Sequence, residues 1–451
     1  MLATTSVGAT TAVCSLSDQV KKYRPRLIQD EKDASGNQSR KALPKREIDS
    51  LVIMCIKVIT ERFSTKANPM EGIPTKFLPD VTLRLPLTLH LTATAPHIAD
   101  ENFWKRSCLN RAGWTNLQIA QHGLTWKQLY LGTYSSIHRL EGGLTVATER
   151  NLQEELEAFD PTHTDAAPYA ELLTKIRACA PHIFSLEIDQ LLSHLDLHEV
   201  TSCLPNLTKL KLTYGVKNIG MKYERMLFGM KISDATSLSH AIKTTTTLST
   251  LQLPSNLLDD DLLRMLMTGL IKNETITTLD LSHNKITNHG ARLLAKLLVP
   301  TSVISTLNLC DNQIHAEGGR YLARGIKCNT SLVELNLRLN RLTDEGGKLL
   351  LEGLGGHRAL SILILSNNAL GKETADGLCS LFLDPESALA VVDLSGNELT
   401  EADANSLHEG LEKNTKLVTL DLRQNQIPRD AAVLAHIAQI IRRNEIDGRR
   451  G

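Results

Sequence analysis

Residues 276–286 have the sequence ITTLDLSHNKI, and residues 304–314 have the sequence ISTLNLCDNQI. Both fit the pattern L-x-x-L-x-L-x-x-N-x-L when isoleucine is allowed in place of leucine. Seven such segments follow one another at spacings of 28, 28, 28, 28, 29 and 28 residues, starting at Leu248, Ile276, Ile304, Leu332, Leu360, Leu389 and Leu417. A period this regular predicts a stack of one repeated structural unit.

The period and pattern are those of the leucine-rich repeat, in its long ribonuclease-inhibitor form. Alternating apolar residues such as Leu279 and Leu281 predict a short strand, and Leu293, Leu294 and Leu297 predict an amphipathic helix after it. One unit cannot bury its own leucines, so neighbouring units must stack. The expected fold is an α/β leucine-rich-repeat solenoid with parallel strands inside, helices outside and a small helical N-terminal domain.

An asparagine closes each strand segment, where the chain turns away from the sheet. Its side-chain amide can pair with turn backbone groups that would otherwise be buried without hydrogen bonds. We therefore predict a structural ladder without a catalytic role, made of Asn256, Asn284, Asn312, Asn340, Asn368, Asn397 and Asn425.

The repeats begin after a different kind of sequence. Residues 1–46 carry nine basic and four acidic residues and are expected to form a flexible basic arm, either a solvated tail or a docking segment for an acidic surface such as a microtubule wall. Residues 47–180 predict a helical N-terminal domain that also caps the repeat stack. Residues 181–451 hold two degenerate repeats, at Ile183 and Leu207, and the seven regular ones.

Aromatic residues concentrate outside the regular repeats. An insertion of 13 residues falls within residues 212–230, and its Tyr214, Tyr223 and Phe228 are candidate protein-binding residues, with packing against the neighbouring helix as the alternative. The three tryptophans, Trp104, Trp114 and Trp126, are expected to fill the core of the helical domain, although tryptophans also anchor interfaces.

The solvent-facing side of the strands is the second candidate protein-binding surface. This concave face is predicted to be polar and mixed in sign, with Ile364 as an apolar exception. A solvated surface without a partner is the alternative for any single residue. The candidate residues are Asp280, Asn308, Asn336, Arg338, Asp393, Asp421 and Arg423.

Composition and motifs argue against several functional classes. Lys plus Arg and Asp plus Glu are 50 each, which argues against a nucleic-acid coat, and the strand face has no aromatic platform for bases. No apolar run approaches a membrane span, and the N-terminus does not resemble a secretory signal. With no membrane span, the chain is expected to be soluble. The eight cysteines form no CxxC pair, so a reducing compartment is expected and a structural metal or disulfide framework is not.

No catalytic motif is found, and no catalytic, cofactor-binding or metal-binding residue is predicted. The nearest approach to a metal motif is His194 and His198, four residues apart, which would share a helix face. A polar outer surface of a degenerate repeat is the preferred interpretation of these two histidines.

Four segments outside the plain repeat carry a family resemblance: DENFWKR (residues 100–106), WKQLYL (126–131), LEAFDP (156–161) and LTYGVKNIGMKYERMLFGM (212–230). Together they resemble the leucine-rich-repeat subunit (subunit 5) of the nexin–dynein regulatory complex, the T-complex-associated testis-expressed protein 1 family. The resemblance covers about residues 20–440.

This resemblance implies a non-enzymatic scaffold in the ciliary or flagellar axoneme. Such a subunit would help to link doublet microtubules and regulate dynein-driven motility. Its implied partners are the coiled-coil base-plate and linker subunits, with tubulin and inner-arm dynein as further candidates, and neither nucleic acid nor membrane is implied.

Two other functions are compatible with leucine-rich repeats. Leu78, Pro79 and Trp104 loosely resemble an F-box, which would make the chain a substrate adaptor of a ubiquitin ligase, but Pro86 and Pro96 fall where helices should run. A GTPase-activating protein of the Ran type shares the repeat length, but such proteins usually end in an acidic tail, whereas residues 441–451 are basic overall.

Overall fold

The structure is a computed structural model that describes residues 51–89, 91–110, 125–132, 166–191, 195–215 and 228–448. The chain divides into two compact units, residues 1–54 and residues 55–451. The described part of the first unit is four residues at the start of helix α1 (Leu51–Glu61), which ends in the second unit. Residues 1–50, and with them the predicted basic arm, lie outside the described residues.

Short helices precede the sheet: α2 (Leu78–Arg84), α3 (Leu91–Thr94), α4 (Glu101–Leu109), α5 (Trp126–Gly132) and α6 (Ala166–Cys179). Helix α4 begins at Glu101 because the Asp100 carboxylate accepts the Asn102 N–H at 2.9 Å and so caps a free backbone donor. Single 3-10 turns lie at Phe63–Thr65, Thr75–Phe77 and Ala180–His182.

Nine parallel strands of the described residues form one sheet in chain order. The central leucines are in register from strand to strand, as in the pairs Leu251–Leu279 and Leu279–Leu307. From the third strand to the eighth, the central residue of each strand is buried, and its two neighbours are half-buried on the other face. The strands are β1 (Ser185–Leu191), β2 (Lys209–Tyr214), β3 (Thr250–Gln252), β4 (Thr278–Asp280), β5 (Thr306–Asn308), β6 (Glu334–Asn336), β7 (Ile362–Ile364), β8 (Val391–Asp393) and β9 (Thr419–Asp421).

A helix follows each strand, and its apolar side packs under the sheet. In the helix Asp260–Leu270, for example, Leu263 and Leu266 are completely buried. The predicted alternation of strands and helices is therefore confirmed. The helices are α7 (Leu197–Ser202), α8 (Ile232–Thr244), α9 (Asp260–Leu270), α10 (Asn288–Leu294), α11 (Ala316–Ile326), α12 (Thr343–Leu354), α13 (Lys372–Leu383), α14 (Glu401–Leu411) and α15 (Ala432–Gly448).

One buried apolar cluster runs through the second unit, from Phe63 to Ile437. Leu131 of α5 and Ile176 of α6 belong to the same cluster as Leu186 of β1. The predicted division into residues 47–180 and 181–451 stays a prediction.

Helix α15 packs on the last repeat. The Asn444 side chain donates to the Leu417 carbonyl at 3.0 Å, and the Arg443 guanidinium donates to the Asn414 carbonyl at 2.7 Å. Within the described residues no strand follows β9. The central residue of β9, Leu420, is half-buried, whereas the central residues of β3 to β8 are buried.

Candidate interaction surfaces

The asparagine ladder links each repeat to the next. Asn284 accepts the N–H groups of Asn256 and Leu258 on its Oδ1 atom, at 2.9 and 3.0 Å. Its Nδ2 atom donates to the carbonyls of Leu253 and Leu281, at 2.9 and 3.0 Å. The same donation to the preceding repeat, at 2.8–3.1 Å, is made by Asn312, Asn340, Asn368, Asn397 and Asn425. These contacts satisfy buried turn groups that no water could reach.

Two further side-chain series connect the repeats, and the sequence analysis missed both. In the first, a residue in one helix caps the start of the next helix. Asp260 accepts the Thr287 N–H at 2.9 Å, and Asn288 accepts the N–H groups of His315 and Gly318 at 2.9 and 3.1 Å. The spacing from Asp260 to Asn288 equals the repeat period, which is the signal that could have revealed the series.

Asp344 is the strongest member of this capping series. Its carboxylate accepts the N–H groups of Gly371, Glu373 and Thr374 at 2.8–2.9 Å and the Thr374 hydroxyl at 2.7 Å. Burial alone would raise the pKa of Asp344, but these hydrogen bonds outweigh it and hold the pKa below its ordinary value.

The second missed series lies in several of the turns that lead from a helix to the following strand. The Oδ1 atoms of Asn329 and Asn414 each accept two backbone N–H groups, and their Nδ2 atoms donate to the carbonyls of Val299 and Phe382, at 3.3 and 3.1 Å. His357 stands at the equivalent position of the repeat that follows Asn329. Its Nδ1 atom accepts the N–H groups of Ala359 and Leu360 at 3.3 and 3.1 Å.

The buried Nε2 atom of His357 has no hydrogen-bond partner within the described part of the chain. Burial of the ring lowers the pKa of His357, because a charged imidazolium is poorly solvated there. His357 therefore accepts the same backbone N–H groups as the asparagine would, but it does not donate to any carbonyl of the preceding repeat that the structure describes.

The predicted concave-face residues at the strand ends are half-buried and already engaged. The side chains of Asp280, Asn308 and Asn336 each accept the backbone N–H two residues further on, at 2.9, 3.1 and 3.0 Å. Asp393 and Asp421 do the same, both at 2.9 Å. These short acceptors hold the turn after each strand, a role that Ile364 cannot fill. Their predicted role in protein binding remains a prediction.

The two arginines of the predicted concave face differ in their surroundings. Arg423 is 84% exposed and its guanidinium contacts Asp421, with Nη2 at 2.5 Å from Oδ2. Hydrogen bonding from Arg423 lowers the pKa of Asp421. Arg338 is also exposed, but it forms no ion pair with any residue that the structure describes.

Four charges at the beginning of the sheet neutralise one another. Lys209 contacts Glu187 at 2.6 Å, and Lys211 contacts Asp189 at 3.1 Å. The sequence analysis did not select these residues, although the alternation of lysine and leucine in β2 places both lysines on the solvent face. Because each charge has a partner, this part of the face offers little net charge to a ligand.

The insertion leaves and rejoins the stack at one turn. Gly229 donates to the Tyr214 carbonyl at 3.1 Å, and Met230 donates to the Asn256 carbonyl at 2.9 Å. The segment that begins after Gly215 therefore returns beside it at Phe228, between β2 and α8. Gly229 has a φ of +78°, and a Cβ there would lie 2.8 Å from the Asn256 carbonyl oxygen.

Tyr214 requires a correction, because the structure places it in the core and not on a contact surface. It ends the buried alternation of β2, is 2% exposed, and donates its N–H to the Asn256 Oδ1 atom at 2.7 Å. Burial raises the pKa of Tyr214 well above its ordinary value. Phe228 is half-buried, and Tyr223 lies outside the described residues. The predicted contact role of these two residues stays a prediction.

Trp104 lies in the core. Its side chain is fully buried, contacts Phe103 and Tyr130 with ring centroids 5.2 and 5.3 Å apart, and donates from Nε1 to the Ile98 carbonyl at 3.0 Å. Trp126 is partly buried against the same cluster, and Trp114 lies outside the described residues.

The described residues contain no group of three or more His, Cys, Asp or Glu side chains arranged to hold a metal ion. His198 lies on α7 with its ring 5.9 Å from that of His240, and His194 is outside the described part. None of the helices that the structure describes has the length and apolar character needed to cross a membrane.

Comparison with known proteins identifies the relatives of this chain. The family model described as Leucine Rich repeat matches residues 272–295, 328–351 and 413–427. Dynein regulatory complex subunit 5 of Chlamydomonas reinhardtii is 40% identical over 214 residues, which are 47% of this chain and 49% of that protein. The subunit of the same name from Mus musculus is 32% identical over 250 residues, 49% of this chain and 45% of that protein.

The chain spans about half the length of the curated relatives it matches. An internalin from Listeria monocytogenes has 17% sequence identity and a TM-score of 0.34, over 61% of this chain and 75% of that one. The predicted leucine-rich-repeat fold is confirmed, and so is the predicted resemblance to the leucine-rich-repeat subunit of the dynein regulatory complex.

Proposed function

We propose that this chain, a leucine-rich-repeat homologue of dynein regulatory complex subunit 5, is a non-enzymatic scaffold subunit of the axonemal nexin–dynein regulatory complex. The observation that carries the proposal is the 40% identity to the Chlamydomonas subunit over 214 residues. In this role it links doublet microtubules and contributes to the regulation of dynein-driven motility.

The structure supports a scaffold through the way its repeats are joined. Asparagine side chains, helix-capping carboxylates and helix-to-strand turns each hydrogen-bond across repeat boundaries, as at Asn284, Asp344 and Asn414. A stack whose repeats are joined by these three kinds of contact resists bending, because several hydrogen bonds must break together. Such a stack can hold several partners at fixed separations.

The proposed partners are other subunits of the complex, in particular the coiled-coil base-plate and linker subunits. Tubulin and inner-arm dynein are further candidates, and the proposed location is the axoneme of the cilium or flagellum. The open strand face suits a protein partner, because its polar side chains alternate in sign and chemistry instead of forming one charged surface.

The experiment is to tag the endogenous chain in a flagellated cell and image it before and after detergent removes membrane and matrix. Retention along the extracted axoneme is the expected result, with a tagged soluble matrix protein as the control that must be lost. A diffuse signal that is removed by detergent contradicts the proposal.

The ubiquitin-ligase adaptor is the alternative that the same preparation tests. An adaptor must co-purify with the linker subunit of its ligase, whereas a scaffold of the regulatory complex must co-purify with other axonemal subunits. The structure gives the adaptor no specific support, because Trp104 is buried in the core and cannot contact a linker subunit.

A further inference from the structure

One backbone position recurs in every regular repeat, directly before the ladder asparagine. Its φ is positive in each case, from 53° to 68°, in the region that favours glycine, asparagine and aspartate. The residues are Ser255, His283, Asp311, Leu339, Asn367, Gly396 and Gln424. His283 Nδ1 lies 2.9 Å from Asp311 Oδ2, so side chains at this position in neighbouring repeats can touch. We call this series the turn row.

Leu339 does not fit the turn row. The other members are polar or glycine, whereas Leu339 is a leucine with φ of 56° and 42% of its surface exposed. A left-handed backbone is unfavourable for leucine, and this leucine does not recover that cost by burial in the core. The core leucines of its repeat are Leu337 and Leu342, both fully buried. Folding alone does not explain a leucine at this position.

Two arginines lie beside this leucine in the chain. Arg338 and Arg341 are both exposed, and neither forms an ion pair with a residue that the structure describes. On the same side of the stack, the Asp311 carboxylate of the preceding repeat lies 2.9 Å from the His283 Nδ1 atom, and Arg423 contacts Asp421. The sixth strand-and-turn unit therefore presents an exposed apolar side chain flanked in the chain by two exposed arginines that form no ion pair with a described residue.

We propose that Arg338, Leu339 and Arg341 form a docking site for an acidic segment of a partner protein that carries an exposed apolar side chain. This proposal rests on the proposed function and specifies the chemistry of one partner subunit. Leu339 anchors the apolar side chain, and the arginines bind carboxylates on either side of it. The chain's own residues 1–46 carry nine basic and four acidic residues, so their net charge has the same sign as the two arginines.

The test is rebinding of the purified full chain to detergent-extracted axonemes from cells that lack it. Arg338→Glu combined with Arg341→Glu should weaken rebinding by about tenfold or more, since loss of two charge-assisted contacts exceeds the 1.4 kcal/mol that corresponds to a factor of ten. Arg324→Glu is the matched control, because Arg324 is exposed on α11 and forms no ion pair with any described residue. It should rebind like the wild type.

Leu339→Asn separates docking from folding. Asparagine tolerates a positive φ and already occupies this position in the next repeat as Asn367, so the variant should melt at the wild-type temperature or above it. Its rebinding should nevertheless fall severalfold, because the anchor is lost. A structural role for Leu339 would instead lower the melting temperature and leave rebinding by the folded protein unchanged.

A competing peptide tests the chemistry of the partner. A short peptide of glutamates around one leucine should displace the wild type from axonemes, and a peptide of lysines around one leucine should not. If the arginine and leucine variants all rebind as tightly as the wild type, the docking site is overturned and the proposed function stays intact. Failure of the wild-type chain to rebind would instead count against the proposed function itself, and the docking site would fail with it.

Discussion

The side chain of Asn284 spans two repeats: its Oδ1 atom accepts the N–H of Asn256 at 2.9 Å, and its Nδ2 atom donates to the Leu253 carbonyl at 2.9 Å. One amide thus satisfies a donor and an acceptor of the preceding turn. Because both backbone groups are buried, neither can turn to water when the side chain is removed. The ladder therefore contributes to cohesion between repeats at each of its positions.

Asn312→Leu should lower the free energy of unfolding by about 1–3 kcal/mol, because it leaves buried turn groups without partners. The groups concerned are the Ile286 N–H and the carbonyls of Leu281 and Leu309. Denaturant unfolding followed by circular dichroism measures the change. Asn405→Leu, on the exposed side of α14, is the control and should change the value by about 0.5 kcal/mol or less. An unchanged stability for Asn312→Leu would contradict the role assigned to the ladder.

Asp344→Ala should remove the cap of α13 and destabilise the stack by about 1 kcal/mol at neutral pH. The pKa of Asp344 is lowered in the folded protein, so its contribution is present above the ordinary value of 3.8 and is lost as the pH falls through the folded value. The difference between variant and wild type should therefore shrink in acid. Glu345→Ala, in the same turn and exposed, should show a smaller effect at neutral pH. Equal effects would mean that the helix dipole, and not the cap, accounts for the loss.

His357→Asn should stabilise the chain by about 1 kcal/mol at neutral pH, because asparagine keeps the acceptor and supplies the missing donor. The pKa of His357 is lowered by burial, so the wild type loses stability as the pH falls below the ordinary value of 6.5. The stability advantage of His357→Asn over the wild type should therefore grow as the pH falls. Unfolding at neutral pH and at about pH 5.5 tests both points. The exposed His289→Asn serves as the control, and a stability gain that does not depend on pH would contradict the titration of His357.

Gly229→Ala should destabilise the chain by about 2–4 kcal/mol, from a left-handed alanine and the overpacking that its Cβ causes. The added atom would lie 2.8 Å from the Asn256 carbonyl oxygen and 2.9 Å from the Leu257 Cβ. Gly356→Ala provides a matched control, because its φ of +77° is similar and nothing lies within 4 Å of its added Cβ. It should lose about 1 kcal/mol. Equal losses would show that the insertion does not return tightly against the ladder.

The repeat period made the strands, the helices and the asparagines predictable. Each strand needs its apolar residues at fixed places, and the buried turn needs an amide at Asn284 and its equivalents. The capping series was less visible, because it is not continuous. Ala316 interrupts it between Asn288 and Asp344, and Lys372 interrupts it one repeat after Asp344. Its function depends on contacts between helices of neighbouring repeats, which the sequence of a single repeat does not show.

The error at Tyr214 has a simple physical origin. Its aromatic neighbours suggested a contact surface, but the alternation in β2 buries Leu210 and Leu212 and therefore Tyr214 as well. Local periodicity decides the direction of a strand side chain more strongly than regional composition does. Leu339 was missed for the opposite reason, because a leucine within a leucine-rich repeat attracts no notice until its positive φ and its exposure are known.

Cryo-electron tomography of axonemes from cells that lack this chain, compared with cells in which the full chain is restored, tests the central proposal most directly. We expect density to be missing from the link between neighbouring doublets in the first case and recovered in the second. Intact links in axonemes without the chain would contradict the proposal that it is a scaffold subunit of the nexin–dynein regulatory complex.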